Sequence, residues 1–185
     1  MPGTYTVRLK NYKVSRIKFT EKYPGEVVRA LSWKQPFASL MLHGKHETRT
    51  WNTNIRGWVL ICASQNPYTY NKALEIMMLR EMAHFLRVFD ADGKYIQEEY
   101  KNIVGNMRTG VALAVGYLSA VKYMGDYIGN RNTHIEIEEK CFVRYNPDLW
   151  IHEYTDVQPI VPFEWKGKQS WSILTDEQKD KIILL

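Results

Sequence analysis

The amino-acid sequence predicts an α+β fold, a small mixed β-barrel with a few flanking helices. Short apolar segments, several of them alternating with a period of two, recur along the chain and are typical of strands. Helical periodicity is confined to a few segments, which favours helices at the edge of a barrel. The chain has 185 residues, of which 45% are hydrophobic and 24% are charged. This length and balance predict one globular domain with a substantial core.

The first 19 residues are basic and include no acidic side chain. Val7 and Leu9, and again Ile17 and Phe19, are spaced two apart, as in a solvated strand or hairpin. The same charges would suit an arm that follows a phosphate backbone, so both alternatives stay open. The expected division of the chain is an N-terminal extension over residues 1–27, a globular domain over 28–175 and a C-terminal tail over 176–185.

Turn and cap signals bound the elements that follow. A turn at residues 23–25, Tyr-Pro-Gly, precedes the first strand of the domain. Pro36 suits the first turn of a short helix that runs to Leu42, and Gly44 suits the residue after its end. Asn71 caps a second helix that runs to about residue 86. The predicted strands begin at residue 27 and then cover 46–51, 58–63, 110–124, 141–143 and 151–157, followed by an extended segment over 159–171.

Charge and cysteine content set mild limits on function. The net charge of +5 and the isoelectric point of about 9.1 favour a polyanionic partner. Two cysteines cannot form the disulfide framework of a small secreted domain, and Cys62 lies in an apolar run that predicts a reduced core thiol. No stretch approaches the roughly 20 apolar residues of a membrane helix. We therefore expect a cytoplasmic protein with no membrane partner.

The sequence predicts neither a metal site nor a cofactor. His43 and His46 are spaced three apart, but no third ligand at zinc spacing accompanies them. The sequence contains no phosphate-loop, dinucleotide-binding or nucleophile-elbow motif. Metal-free chemistry or plain binding is therefore favoured.

Charged side chains and tryptophans are concentrated in residues 30–64. Such a mixture can supply anion contacts, a planar stacking surface and a carboxylate, which is what a pocket for a base or a nucleotide requires. A domain that only had to fold would seldom place so many of these groups together. The cluster consists of Lys34, Lys45, Glu47, Arg49 and Arg56, interleaved with Trp33, Trp51 and Trp58.

Several separated motifs carry a resemblance to a known family. They are Ala30-Leu31-Ser32, Lys34-Gln35-Pro36-Phe37-Ala38, Gly44-Lys45, Glu47-x-Arg49-x-Trp51, Arg56-Gly57 and Pro162-Phe163-x-x-Lys166-Gly167-Lys168-Gln169. Residues 28–175 resemble the ASCH domain, the activating-signal-cointegrator homology domain, of bacterial and phage type. The resemblance implies a PUA-like barrel, a cleft between barrel and helix, and an association with RNA. The family signature G-x-K-x-x-E-x-R is two residues longer than the corresponding stretch here, but the glutamate-to-arginine spacing is kept.

The first functional hypothesis is a module that binds nucleic acid, RNA before DNA, or a nucleotide. Trp33 or Trp51 would stack a base, while Gln35 and Glu47 would read a base edge. Lys166 to Gln169 would form the opposite wall of the cleft. Glu47 and Arg49 could equally form a structural ion pair, since residues two apart on a strand share one face. The expected phosphate contacts are Lys34, Lys45, Arg49, Arg56 and Lys168, with Gln169 as a further ligand contact.

The alternative hypothesis is a small metal-independent hydrolase. Some relatives of the ASCH domain remove an acyl group from N4-acetylcytidine with a lysine, a threonine three residues later and a distant glutamate. Lys45 and Thr48 reproduce this spacing, and the resemblance implies a lysine base and a threonine nucleophile. The carboxylate would be Glu47, Glu136 or Glu138. Other relatives are described as nucleases, a role that Lys45, Glu47 and Arg49 could also serve.

Overall fold

The computed structural model describes residues 16–66, 68, 107–127, 131–167 and 170–185. Within them, a curled sheet of eight strands forms a half-barrel with a few short helices. The strands are β1 (Ile17–Lys18), β2 (Val28–Trp33), β3 (Glu47–Arg49), β4 (Gly57–Ala63), β5 (Val111–Tyr123), β6 (Trp150–Glu164), β7 (Ser172–Ile173) and β8 (Ile183–Leu184). The helices are α1 (Phe19–Lys22), α2 (Phe37–Leu40), α3 (Arg131–Cys141) and α4 (Asp176–Lys179), with 3-10 turns at Met41–His43 and Met124–Asp126.

The strand order is β1-β8-β6-β5-β4-β2-β7, and β3 pairs with β6 beside this path. β2 and β4 run parallel, in register from Val28 opposite Trp58 to Trp33 opposite Ala63. The other strand pairs are antiparallel. Because parallel strands end at the same edge, the segments that follow β2 and β4 meet there. The backbone N–H of Ser64 donates to the carbonyl of Trp33 at 2.8 Å, which joins the two segments.

The pairing of the two longest strands is the most irregular in the described sheet. Pairing between β5 and β6 shifts register three times, and such irregularities bend a strand and increase its twist. The opposite edge of β6 has two partners. β3 pairs with Trp150–His152 near its start, and β8 pairs at Ile160 near its end. β3 and the C-terminal β8 therefore lie along the same edge of β6.

Both faces of β4 are buried, which explains its nearly continuous apolar sequence. Trp58, Leu60 and Cys62 belong to one core cluster, and the alternate residues Val59 and Ile61 belong to another. Trp58 is 5% exposed and Cys62 is fully buried, so the prediction that both are core residues is confirmed. The first cluster also includes Phe19, Ile182 and Leu184. Residues outside the predicted 28–175 domain thus contribute to the same core, while the division of the chain stays a prediction.

Most predicted elements in the described residues are confirmed. The strands predicted over 46–51, 58–63, 110–124 and 151–157 correspond to β3, β4, β5 and β6, and the last continues into the extended segment predicted over 159–171 as far as Glu164. The short helix is α2 followed by a 3-10 turn, and Gly44 ends it in the left-handed region with a φ of 82°. The helix predicted from Asn71 lies outside the described residues.

The strand predicted over 141–143 is wrong, because Cys141 is the last residue of α3. Ile137 and Cys141, one helical turn apart, are 7% and 1% exposed and face the same small core. Residues four apart lie on the same face of a helix, and this spacing is the pattern that the structure follows. The short apolar run Cys-Phe-Val had indicated a strand instead. Phe142 leaves the helix with a positive φ of 55°. In the part of the chain that the structure describes, no helix has the length and apolarity needed to cross a membrane.

Candidate functional site

A cavity of about 540 Å³ lies at the edge where β2 and β4 end. Three of its lining residues, Ser64, Gln65 and Asn66, directly follow β4, and Lys34 directly follows β2. The remaining wall comes from the end of β2, from Tyr68, from α2 and β3, and from the segment after β6. Among the residues that the structure describes, the cavity is lined by Ser32, Trp33, Lys34, Phe37, Glu47, Arg49, Ser64, Gln65, Asn66, Tyr68 and Gly167.

An ion-pair chain lies at the inner wall of the cavity. The Nζ of Lys45 is 2.9 Å from one carboxylate oxygen of Glu47, and the Nε of Arg49 is 3.1 Å from the other. The side chains of Lys45, Glu47 and Arg49 are 1%, 9% and 23% exposed, so the ion-pair chain runs from the interior to the cavity. Lys45 also donates to the carbonyl of His46 at 2.7 Å. Two cations therefore share a single carboxylate.

Local structure places this ion-pair chain. The 3-10 turn ends at Gly44, and the backbone N–H of Lys45 donates to the carbonyl of Leu40 at 3.3 Å. β3 then pairs with β6, with Glu47 opposite His152. Strand alternation directs Glu47 and Arg49 to one face and Thr48 to the other.

Aromatic rings accompany each cation of the site. The Nζ of Lys45 lies 5.0 Å from the ring centre of Phe37, and the Nζ of Lys34 lies 4.8 Å from that of Tyr68. The guanidinium carbon of Arg49 lies 5.5 Å from the ring centre of Trp33 and 5.8 Å from that of Trp51. Cations at such distances are attracted to the negative ring faces. These contacts limit the directions in which the cations can point.

Nearby titratable groups are held in their neutral forms. Burial lowers the pKa of His152, against the opposing effects of its contact with the carbonyl of Trp51 and of the Glu47 charge. Burial also lowers the pKa of His46, and it raises the pKa of Tyr154. The positive charge beside the cavity therefore comes from lysine and arginine. The thiols are also neutral, since burial raises the pKa of Cys62 and raises that of Cys141 to about 11.

The cavity brings together four residues of the set predicted from sequence: Trp33, Lys34, Glu47 and Arg49. Trp33 is only 3% exposed, so most of its ring belongs to the core. Lys34 is exposed at the rim. The side chain of Lys45 is buried behind Glu47 and is absent from the described lining.

The other predicted residues lie elsewhere. Gln35 is buried, where its amide donates to the carbonyl of Arg108 at 2.8 Å and accepts from Ser39. Arg56 is exposed and donates to the carbonyls of Thr53 and Ile55. Thr48 is outside the described lining. Lys168 and Gln169 lie outside the described residues.

Trp51 lines a second cavity of about 320 Å³, together with Asn52, Thr53, Ser170 and Trp171. Glu136 and Glu138, the candidates for a distant carboxylate, lie on α3. Glu136 pairs with Lys140 at 2.7 Å, and Glu138 lies 3.4 Å from Arg144. Neither glutamate lines either of these two cavities in the described residues.

Sequence reasoning did not identify the polar wall formed by Ser64, Gln65 and Asn66. A usable signal was present, because three polar residues directly follow the apolar strand β4. That signal becomes informative only when β4 is known to pair in parallel with β2, which places their ends together. Phe37 and Tyr68 were likewise not singled out as wall residues, whereas Gly167 lies within the predicted opposite wall, Lys166 to Gln169, and lines the cavity.

No group of three or more histidine, cysteine or acidic residues is arranged for a metal ion within the described residues. No protein-family model matches the chain, and no curated protein matches it.

Proposed function

We propose that this chain binds a nucleotide or single-stranded nucleic acid, RNA before DNA, in the cavity at the ends of β2 and β4. The observation that carries the proposal is one cavity of about 540 Å³ that combines basic, aromatic and carboxamide side chains. Its volume lies within the ~300–1,000 Å³ of ligand pockets in general. We further propose that the half-barrel belongs with the PUA-like fold and the ASCH domain that the sequence motifs resemble.

The phosphate would be bound by Lys34 and Arg49. Lys34 is exposed at the rim, and Arg49 lines the cavity with a 23% exposed side chain. A guanidinium offers five N–H donors. The Nε and Nη2 of Arg49 are both buried without a hydrogen-bond partner in the described residues, although Nε lies 3.1 Å from a carboxylate oxygen of Glu47. This spare donor capacity is suited to an oxyanion.

The base would be recognised by the carboxamides and rings of the outer wall. Gln65 and Asn66 are exposed lining residues, and each carries both a donor and an acceptor for a base edge. Phe37 and Tyr68 supply half-buried ring surface for stacking. Glu47 is better suited to holding Arg49 than to reading a base, because each of its oxygens already faces a cation.

Hydrolysis of an acylated nucleoside remains the alternative and has less support. The amino group of Lys45 is enclosed by Glu47 and the carbonyl of His46, and Thr48 projects from the opposite face of β3. A nucleophile and its base would have to approach each other for this chemistry. Turnover of N4-acetylcytidine by the wild-type chain that is lost in Lys45→Ala would restore the hydrolase hypothesis.

Binding can be measured by fluorescence anisotropy with a labelled single-stranded RNA, its DNA counterpart and nucleoside monophosphates as competitors. We expect Lys34→Gln and Arg49→Gln each to weaken binding about tenfold, because each removes a charge-assisted contact. The affinity should also fall as salt is raised. Lys181→Gln is the matched control, since Lys181 is exposed at the C-terminal end, beside Glu177. No binding at low salt, or equal losses in all three variants, would contradict the proposal.

A further inference from the structure

We infer that the site accepts two consecutive nucleotides of a single strand, with the second cavity as a separate subsite for a base and its sugar. This inference rests on the proposed function, because it assigns the first cavity to the first nucleotide. The second cavity has a volume of about 320 Å³ and is lined by Trp51, Asn52, Thr53, Ser170 and Trp171.

The rings of Trp51 and Trp171 form a corner in the second cavity. Their centres lie 6.0 Å apart and their planes meet at 80°, and both side chains are half-buried. A planar base can stack on one such ring while the other contacts its edge. Stacking on an aromatic side chain tolerates any base, because every base has a π-face. The corner therefore suits a nucleobase of unspecified identity.

The walls of this corner are fixed before a ligand arrives. Trp51 meets His152 edge to face at 5.0 Å, and His152 is fully buried. The Nε2 of His152 also contacts the carbonyl of Trp51 at 3.3 Å. In the following loop, the backbone N–H of Thr53 donates to Asn52 at 2.7 Å. A preformed corner lowers the ordering cost of binding.

Arg49 connects the two cavities. Its guanidinium carbon is 5.5 Å from the ring centre of Trp33, which lines the first cavity, and 5.8 Å from that of Trp51, which lines the second. One cation between two cavities matches one phosphodiester between two nucleosides. The described lining of the second cavity contains hydroxyl and amide groups and no charged side chain. That lining suits a base and sugar, and the phosphate would stay at Arg49.

The geometry favours a single strand over a duplex. Two concave cavities on either side of a cation can hold bases only if these are turned away from a pairing partner and from each other. Contacts of this kind are typical of recognition of single-stranded loops and ends.

Isothermal titration can separate the second subsite from the first. The two probes are a 5′-phosphorylated dinucleotide and the nucleoside 5′-phosphate whose 3′-phosphate is a methyl diester, so that a methyl group replaces the second nucleoside. Both carry one phosphomonoester and one phosphodiester, so their charges match and a difference in affinity reports the second nucleoside. We expect the dinucleotide to bind about tenfold more tightly, because it gains one stacked base.

The variant Asn52→Asp should reduce this affinity ratio several-fold, since it adds a negative charge beside the base and keeps the acceptor for Thr53. Trp171→Ala should bring the ratio close to one. Asn54→Asp is the matched control, because Asn54 is exposed in the same loop and lies outside the described lining of both cavities. Its ratio should equal that of the wild type.

The outcomes separate the two proposals. If both probes bind the wild type equally, the second subsite is excluded and the proposed function stands. A ratio that favours the dinucleotide but survives Asn52→Asp and Trp171→Ala would also exclude this cavity as the subsite. If neither probe binds and labelled single-stranded RNA also fails to bind, both the proposed function and the second subsite are overturned.

Discussion

At the scale of single residues, the Glu47 carboxylate is the shared counter-ion of two cations. It is the acceptor for Lys45 on one oxygen and the neighbour of Arg49 on the other, and it is nearly buried. A buried cation that loses its counter-ion is expensive, because neither water nor another charge replaces it. The carboxylate therefore has a structural role as well as a role in positioning Arg49.

We expect Glu47→Gln to lower the free energy of unfolding by about 3 kcal/mol, measured by urea denaturation at neutral pH. Glu136→Gln is the matched control, since it removes the same charge from a lysine pair at 2.7 Å that is exposed on α3. Exposed pairs of this kind contribute little to stability. Equal stability losses in the two variants would contradict a buried ion-pair chain.

At the scale of elements, the segment between β2 and α2 is fixed by one amide. Gln35 donates to the carbonyl of Arg108 at 2.8 Å, and its oxygen accepts from both the backbone and the hydroxyl of Ser39. The amide thus joins the start of α2 to the segment that leads into β5. Lys34 and Phe37 of the cavity wall lie on either side of it.

We expect Gln35→Ala to destabilise the fold by about 1–3 kcal/mol, because it leaves buried polar groups without partners. The affinity for a nucleotide should fall as well, since both neighbouring wall residues lose their support. Gln158→Ala serves as control, because Gln158 is only half-buried and its amide contacts Lys22 and Tyr23. A smaller loss of stability in Gln35→Ala than in Gln158→Ala, measured by thermal unfolding, would contradict the role of the Gln35 amide in fixing this segment.

The sequence was informative where local pattern decides structure. An unbroken apolar run predicted β4. The position of Gly44 after a short helix predicted that the helix ends there. Gln35 was predicted to touch the ligand but is buried, because no local pattern shows that the carbonyl of Arg108 lies opposite. The wall at Ser64 was missed for a similar reason, since its position depends on the parallel pairing of β4 with β2, whose paired residues lie 30 apart in the sequence.

At the scale of the whole molecule, the C-terminal segment completes the core. Ile182 is fully buried and Leu184 is 2% exposed, both in the cluster that contains Phe19. The backbone N–H of Phe19 donates to the carbonyl of Ile182 at 2.9 Å. The two ends of the described chain therefore pack together against the sheet.

We expect Ile182→Ala to lower the free energy of unfolding by about 2–5 kcal/mol, because it removes buried methyl groups from a packed core. Ile173→Ala is the control, since Ile173 is 66% exposed on β7. Urea denaturation of both variants would show whether residues 176–185 act as a tail or as part of the domain. Equal stability in both variants would favour a tail.

The divided outer edge of β6 has a consequence for contacts between molecules. Between its pairing with β3 at residues 150–152 and its contact with β8 at residue 160, no strand covers that edge in the described residues. An open edge is a template for strand addition by another copy. Asp156 interrupts the extended backbone there with a φ of 49°. The carbonyl of Pro159 accepts from Leu185 on this edge, so its missing N–H donor lies on the same side. The gap in the edge of β6 is thus poorly suited to the growth of an intermolecular sheet.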